Sequence, residues 1–286
     1  MRWGKELYAV FKLRIGIAIA VTAVAGLAVT PGPAPTAWQV VAVALAVLLS
    51  AASAGALNHY IERDLDALMP RTRGRPFVTG VFRPGPLWLT VIFLMLLVAV
   101  VMAGLAVNAW VAVYTFLGAF FYGVVYTIWL KRRTWLNIVL GGLSGSFAVL
   151  AGAAAVDPAI PAAPMLLAVV LFLWTPPHFW SLAMRLDAEY AQARVPMLPV
   201  VIGSAAAARV ILAHTVALVA LSLLIAVLGL GWIYLAAAAI GGGYFIYRSV
   251  QLVRRPGPEA AARNFHASLV QLGLLLIGAL ASTGGL

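Results

Sequence analysis

An amide and two carboxylates recur at helical spacing where an apolar run of the sequence ends. Asn58, Glu62 and Asp66 lie four residues apart, so a helix would place their side chains on one face. Mg²⁺ prefers oxygen ligands and commonly binds through one or two protein carboxylates together with substrate phosphates. The spacing therefore predicts a magnesium site at which a phosphorylated substrate completes the coordination of the ion.

Three arginines follow these residues at alternate positions, Arg71, Arg73 and Arg75. A guanidinium group binds phosphate oxygens through two parallel hydrogen bonds, so a magnesium-bridged diphosphate is the simplest ligand that would use both sets. The alternative is a solvated loop in which the acidic side chains pair with the arginines. We favour the metal site because ionisable groups at the end of a spanning helix usually face a bundle interior or a cavity.

A second unusual segment, residues 174–180, reads WTPPHFW. Its two prolines are expected to break or kink a helix, which would leave His178 at membrane depth among aromatic side chains. A neutral imidazole there would ligate iron or transfer a proton, and a charged one would hydrogen-bond a substrate carboxylate. A core histidine that satisfies a carbonyl freed by the prolines is an equal alternative.

Other polar residues have weaker patterns. Asp187 and Glu189 are two apart and diverge on a regular helix, although an irregular turn would let either reach a second Mg²⁺. Tyr122 and Tyr126 precede the basic triplet 131–133, and a tyrosine ring that faces a cavity would shield a developing carbocation. The triplet by itself is typical of a membrane anchor. The histidines expected only at helix ends or in the core are His59, His214 and His266.

The elements that must position these residues are membrane-spanning helices. Of 286 residues 64% are apolar and 9% charged, whereas soluble domains are roughly half apolar and about a quarter charged. This composition excludes a soluble or disordered chain, and the absence of Cys excludes disulfides and thiolate zinc sites. Each span needs roughly 20 apolar residues. We predict one all-α domain over 1–286 with nine spans, at 12–30, 37–60, 86–106, 109–129, 134–155, 164–184, 205–229, 232–249 and 265–283.

The basic residues predict how the bundle lies in the lipid bilayer. All 19 Lys and Arg fall in the N-terminal tail, in the loops after the second, fourth, sixth and eighth spans, or at the ends of spans next to these segments. The positive-inside rule therefore predicts a cytoplasmic N-terminus, cytoplasmic active-site loops and an outer C-terminus in a bacterial inner membrane. We interpret the net charge of +11 as this topology and expect no nucleic-acid partner. We also expect no cleaved signal peptide.

Together these segments resemble the UbiA family of intramembrane prenyltransferases. The resemblance covers nearly the whole chain and rests on Asn58, Glu62 and Asp66, on the arginines after them, and on the segment 130–137 (LKRRTWLN) with its following glycines. Within the family, WTPPHFW and residues 196–200 (PMLPV) are similar to the heme O synthase subgroup.

The resemblance implies nine helices around a central cavity and Mg²⁺-dependent transfer of farnesyl from farnesyl diphosphate to a vinyl group of heme B. Water then adds, and heme O and diphosphate result. Heme B is thus a substrate and not a prosthetic group. The expected metal ligands are Asn58, Glu62, Asp66, Asp187 and Glu189. The expected diphosphate ligands are Arg71, Arg75, Lys131 and Arg132. The expected heme contacts are His178, Trp174 and Trp180, with Tyr126 and His178 acting in catalysis beside the first three metal ligands.

The sequence departs from the family pattern at three places. Glu62 stands where the family usually has Asp, residues 12–14 read Lys-Leu-Arg in place of Lys-Pro-Arg, and 147–149 lack a proline pair. The resemblance also implies heme A synthase or terminal oxidase assembly proteins as partners. The alternatives are a prenyltransferase of the same fold that acts on a quinone precursor, and a transporter or channel. A transporter needs a polar path through the membrane, whereas these charges lie on one side.

Overall fold

The computed structural model describes residues 2–282, and all regular structure within that range is helical. The helices are α1 (Arg2–Val10), α2 (Leu13–Ala28), α3 (Ala37–Ile61), α4 (Arg63–Ala67), α5 (Pro86–Ala106), α6 (Ala109–Phe120), α7 (Asn137–Gly141), α8 (Leu143–Ala154), α9 (Ala162–Arg185), α10 (Asp187–Gln192), α11 (Leu198–Ile202), α12 (Ser204–Ile225), α13 (Gly231–Arg254) and α14 (Pro258–Ser282). Two π-helical segments, Phe121–Leu130 and Ala226–Leu230, continue α6 and α12.

The helices are long and apolar enough for a protein that crosses the membrane several times. Seven segments of the described chain meet the length and hydropathy of a span, or eight if α1 and α2, which meet at 48°, form one bent span. One of the seven is the 51-residue segment Ser204–Arg254. Its backbone leaves helical geometry at Leu228 and Gly229, and α12 and α13 pack against each other on either side of that break. The all-α membrane class is confirmed, and the count of nine stays a prediction.

Successive long helices pack as neighbours, and α14 packs against both α9 and α2, which closes the bundle. The approach of α2 to α8 depends on glycine. A Cβ atom at Gly26 would overlap the backbone of Val149, and one at Gly152 would overlap the backbone of Ala23. In lipid, such small residues let helices approach closely enough for dispersion contacts to hold them together.

The predicted spans agree with the observed helices to a few residues, with two informative differences. Helix α9 runs without interruption through Pro176 and Pro177, both of which are buried, so the prolines do not break the helix, and the alternative of a kink stays a prediction. Neighbouring helices cover the backbone there, and a bundle tolerates prolines under that condition. Helix α14 begins at Pro258, seven residues before the predicted start of that span at 265. Residue 283, the predicted end of that span, lies outside the described residues. The assignment of 1–286 to one domain stays a prediction.

Candidate active site

A cavity of about 790 Å³ lies inside the bundle and is charged at one end. The charged end is lined by Lys12, Asn58, Glu62, Asp66, Arg71, Arg75, Tyr122, Tyr126, Lys131 and Tyr190. The remaining wall is mostly small or apolar and includes Ile19, Val47, Ala51, Ala54, Ala119 and Ala148. Val47 precedes Glu62 by 15 positions along α3, so the apolar wall extends about 22 Å from the charged end at 1.5 Å per residue.

The residues Asn58, Glu62 and Asp66, which we call the ridge, share one side of the backbone although α3 ends at Ile61. Glu62 lies between α3 and α4 with φ −89° and ψ 9°. The Glu62 amide still donates to the Asn58 carbonyl at 2.9 Å, and the Asp66 amide to the Glu62 carbonyl at 2.8 Å. These bonds preserve the helical spacing, so all three side chains are buried and line the cavity.

Each carboxylate of the ridge is paired with a cation from another segment. Lys131 Nζ donates to Glu62 Oε2 at 2.5 Å, and Arg75 donates to Asp66 Oδ2 at 2.7 Å. Burial raises the pKa of Asp66 above its usual value, and the Arg75 guanidinium opposes that rise. Uncompensated charges are costly away from water, and these two ion pairs offset both carboxylates of the ridge.

Lys12, at the junction of α1 and α2, binds the third residue of the ridge, Asn58. Its Nζ donates to Asn58 Oδ1 at 2.5 Å and to the Tyr122 hydroxyl at 2.9 Å. The lysine backbone has φ 47°, a left-handed conformation that non-glycine residues seldom adopt. Lys12 lies at the 48° bend between α1 and α2. This bend directs the lysine side chain towards the cavity.

Arg132, one of the predicted diphosphate ligands, does not line the cavity. Its two terminal nitrogens donate to the two carboxylate oxygens of Asp64, each at 2.7 Å, on the exposed surface. The hydrogen bonds from Arg132 hold the pKa of Asp64 below its usual value. The neighbouring Lys131 faces inward, so one residue of the basic triplet enters the site and the next pairs at the surface.

Asp187 and Glu189, the predicted ligands of a second Mg²⁺, do not line the cavity. Glu189 Oε2 is 3.8 Å from Arg71 Nε, and Arg71 also donates to the Tyr190 hydroxyl at 3.0 Å. Across residues 2–282, no group of three or more His, Asp or Glu side chains is close enough to hold a metal ion. The described side chains alone therefore do not form a complete metal site.

The ridge nevertheless fits an ion that shares its coordination with a substrate. Two carboxylates and an amide oxygen match the preference of Mg²⁺ for hard oxygen ligands, and phosphate oxygens commonly supply the rest. Glu62 Oε1 is buried without a hydrogen-bond partner in the described chain, and a buried carboxylate oxygen without a donor is unfavourable. A cation at the ridge would satisfy that oxygen.

The π-helical segment Phe121–Leu130 brings two tyrosines and a lysine to the cavity. Hydrogen bonds from residue i to i+5 widen the turn, and the Lys131 amide bonds the Tyr126 carbonyl in this way at 2.9 Å. The rings of Tyr122 and Tyr126 stack with centroids 5.5 Å apart. A lysine nitrogen lies over each ring, Lys12 at 5.4 Å and Lys131 at 5.5 Å. The ring faces at the charged end are thus already placed against positive charge.

His178 lines the cavity farther along α9, where α14 orients its ring. Its Nδ1 lies 2.7 Å from Ser268 Oγ, and Ser268 donates its only proton to the Phe265 carbonyl at 2.6 Å. The serine oxygen must therefore accept a proton from Nδ1, which leaves the Nε2 lone pair of the neutral ring free for a ligand. The alternative role, in which His178 satisfies a carbonyl freed by the prolines, is not observed at Nδ1, because that nitrogen faces Ser268.

Of the aromatic residues around His178, Phe265 lines the cavity, whereas Trp174 and Trp180, the two predicted heme contacts, do not. The imidazole stacks on Trp174 at 4.2 Å and on Phe265 at 4.5 Å between ring centroids. Trp174 also donates its indole N–H to the Ser268 carbonyl at 3.0 Å. Trp180, predicted to contact heme, is 1% exposed, packs against His214 and does not line the cavity.

Several residues of the site were not assigned to it from the sequence. Lys12, Tyr190 and Ser268 each contact a predicted site residue. The Lys-Leu-Arg sequence at 12–14 was a usable signal, since the resemblance places a basic motif there. No pattern around Ser268 points to His178, because the two residues are 90 positions apart.

Comparisons with known proteins agree with this architecture. A model described as the UbiA prenyltransferase family matches residues 19–275. Protoheme IX farnesyltransferase 2 of Paramagnetospirillum magneticum is 60% identical over 272 residues, which cover 95% of this chain and 94% of that protein. Protoheme IX farnesyltransferase 1 of the same organism is 48% identical, with coverage of 85% and 86%.

A solved structure extends the comparison to three dimensions. A UbiA homolog from Archaeoglobus fulgidus bound to DMAPP and Mg²⁺ superimposes with a TM-score of 0.74 over 98% of this chain and 100% of that one. The two sequences are 14% identical, so this likeness shows the fold alone.

Proposed function

Since the chain belongs to the UbiA prenyltransferase family, we propose that it transfers farnesyl from farnesyl diphosphate to a vinyl group of protoheme IX, giving heme O. The observation that carries the proposal is one cavity with a charged end and an apolar wall. The 60% identity to a protoheme IX farnesyltransferase supports the choice of donor and acceptor. The charged end suits a diphosphate, and the apolar wall suits an isoprenoid chain.

We assign diphosphate binding to Lys12, Arg71, Arg75 and Lys131, and Mg²⁺ binding to the ridge. When bound, Mg²⁺ would neutralise the diphosphate and stabilise the negative charge that develops as it leaves. Lys131 and Arg75 pair with the ridge carboxylates in the protein. A magnesium diphosphate brings both signs of charge, so carboxylates and cations would each find a new partner.

The protein's part in the bond change is to protect a cationic carbon. As the bond from farnesyl C1 to the diphosphate oxygen breaks, the heme vinyl carbon supplies the electron pair of the new carbon–carbon bond. Water oxygen then adds to the other vinyl carbon, and the water loses a proton. The ring faces of Tyr122 and Tyr126 stabilise positive charge, and the apolar wall keeps other water away from the cation.

We propose that His178 binds the heme acceptor through Nε2. Ser268 orients the imidazole so that this nitrogen carries the lone pair, which is the form that ligates iron. Trp174 stacks on the imidazole of His178 and so restrains the orientation of that ring. We assign Trp180 to core packing, and Glu189 to positioning Arg71. A second Mg²⁺ at Asp187 and Glu189 stays a prediction, as do the inner-membrane topology and the oxidase-related partner proteins.

The direct test is the reaction with purified protein. With Mg²⁺, farnesyl diphosphate and heme B, mass spectrometry should detect heme O, and EDTA should abolish it until Mg²⁺ is restored. Asp66→Asn should lower turnover by about 100-fold or more. Asp64→Asn is the matched control, because within residues 2–282 that carboxylate forms its ion pair with Arg132 at the surface, and this variant should stay active. Prenylation of a quinone precursor without heme O would assign a different acceptor.

A further inference from the structure

A second concavity of the described chain lies where α13 ends and α14 begins, and we call it the arginine pocket. It encloses about 460 Å³ and is lined by Arg248, Gln251, Arg254, Arg255, Ala260 and Arg263. Glu259 is the acidic side chain in contact with this set, 3.4 Å from Arg263. Four guanidinium groups thus face one carboxylate. Among residues 2–282, the guanidinium groups of Arg254 and Arg255 form no hydrogen bond or ion pair.

One arginine of the pocket is held in place by its own helix. The Arg248 guanidinium lies 5.3 Å from the ring centroid of Tyr244 and 5.4 Å from that of Tyr247. It donates to Gln251 Oε1 at 2.8 Å, and Gln251 donates to the Tyr247 hydroxyl at 2.7 Å. A guanidinium held in this way loses less side-chain entropy when it binds an anion.

An apolar stripe on α13 leads directly to the pocket. Ile240, Tyr244 and Tyr247 are 66%, 37% and 55% exposed, and their spacing of four and three places them on one helix face. The next turns of that face carry Gln251 and Arg254. Exposed apolar side chains on a membrane helix face lipid, and tyrosines concentrate at the membrane–water interface.

The arginine pocket is at the same end of the bundle as the charged end of the cavity. Leu252 and Ala261, which flank the pocket, pack in one apolar cluster with Leu65 and Met69, which follow the ridge. The positive-inside rule accounts for basic residues at this end. It does not account for their convergence on one concavity or for the tyrosine network that holds Arg248.

We propose that the arginine pocket binds the headgroup of an anionic phospholipid, whose acyl chains lie along the stripe of Ile240, Tyr244 and Tyr247. Guanidinium groups bind phosphate oxygens in pairs, and basic pockets between membrane helices suit phosphate headgroups. The charge of four arginines against one carboxylate selects an anionic over a zwitterionic lipid. The continuity of pocket and stripe selects a lipid over a soluble phosphate. This inference is independent of the prenyl-transfer chemistry.

The test is a lipid titration of the purified full-length chain in detergent, followed by native mass spectrometry. The probes are phosphatidylglycerol and phosphatidylcholine with identical acyl chains. Phosphatidylglycerol should bind the unmodified chain more tightly than phosphatidylcholine does. The double variant Arg254→Gln, Arg255→Gln should bind phosphatidylglycerol about thirtyfold more weakly, and Arg255→Gln alone about fivefold, since each arginine near an anionic lipid contributes ~1 kcal/mol.

The matched control is Arg83→Gln, Arg133→Gln, which removes two charges from exposed arginines outside the pocket. It should change phosphatidylglycerol binding by less than about threefold, the level expected of screened surface charge. Equal weakening by both double variants would reduce the effect to net charge and overturn the proposal. Equal affinity for phosphatidylcholine would also overturn it, as would displacement of the lipid by millimolar inorganic phosphate. An unchanged melting midpoint establishes that each variant is folded.

Discussion

Replacing Lys131 by methionine separates the structural role of the buried ion pair from its role in the reaction. The Lys131 side chain is 11% exposed and that of Glu62 is 2% exposed, with 2.5 Å between Nζ and Oε2. Methionine keeps an unbranched apolar chain but no charge. Lys131→Met would therefore leave the Glu62 carboxylate buried without its cation, and its other oxygen already has no hydrogen-bond donor in the described chain.

The expected loss of stability follows from that uncompensated charge. Removing one partner of a buried ion pair typically costs ~3–5 kcal/mol, and we expect ~3 kcal/mol because the pair borders a cavity. The double variant Glu62→Gln, Lys131→Met removes both charges, and exchanging both partners of a buried pair is often nearly neutral. It should regain about 2 kcal/mol of that loss. Turnover should stay low in both variants, since removal of an electrostatic group at the reacting end lowers turnover by a factor of about 10²–10³.

The assay compares apparent melting midpoints in one detergent with heme O formation by the same preparations. At roughly 2–4 °C per kcal/mol for a chain of this size, the single variant should melt about 6–12 °C below the unmodified chain. The double variant should melt within about 4 °C of it. A single variant as stable as the unmodified chain, or a double variant less stable than the single one, would refute the ion-pair reasoning. A double variant that regains turnover would refute the role in diphosphate binding.

Three further predictions follow from other contacts. Asp66→Asn should raise the Mg²⁺ concentration for half-maximal turnover by more than about tenfold, and an unchanged magnesium dependence would remove Asp66 from the metal site. His178→Ala should abolish the Soret shift on heme B addition, and Ser268→Ala should weaken heme binding about tenfold by releasing the imidazole; farnesyl diphosphate binding, measured by calorimetry, should not change in either. Gly152→Val should cost ~3 kcal/mol or more because its Cβ meets the α2 backbone, whereas Gly145→Val should cost little, since no heavy atom outside its own helix segment lies within 4 Å of a Cβ there; similar melting midpoints would contradict the packing argument.

The spans were predictable because hydropathy is a local property. The predicted spans 37–60 and 86–106 correspond to the observed helices Ala37–Ile61 and Pro86–Ala106. A spanning helix must satisfy its backbone internally and present about 20 apolar residues to lipid. The uninterrupted course of α9 through Pro176 and Pro177 was not predictable in the same way, because it depends on the helices packed around those prolines.

The sequence predicted that the residues of the ridge are neighbours, but it did not predict the ion pairs that their carboxylates form. Helical spacing places Asn58, Glu62 and Asp66 together, and the hydrogen bonds across the end of α3 preserve that spacing. The sequence did not indicate which cation pairs with which carboxylate. Lys131 turns inward to Glu62 while Arg132, one position later, pairs outside, and the choice follows from the widened turn of the π-helical segment.

The amino-acid sequence by itself determined the membrane-spanning helices and the close spacing of the oxygen ligands, since hydropathy and helical period act over a few turns of one chain segment. Only the tertiary structure decided that Lys131 lies against Glu62 across 69 positions and that Ser268 orients His178 across 90. Such contacts depend on how helices pack, and packing in lipid is governed by the steric fit of small residues from distant segments. The chemistry of the site therefore arises where locally encoded helices meet.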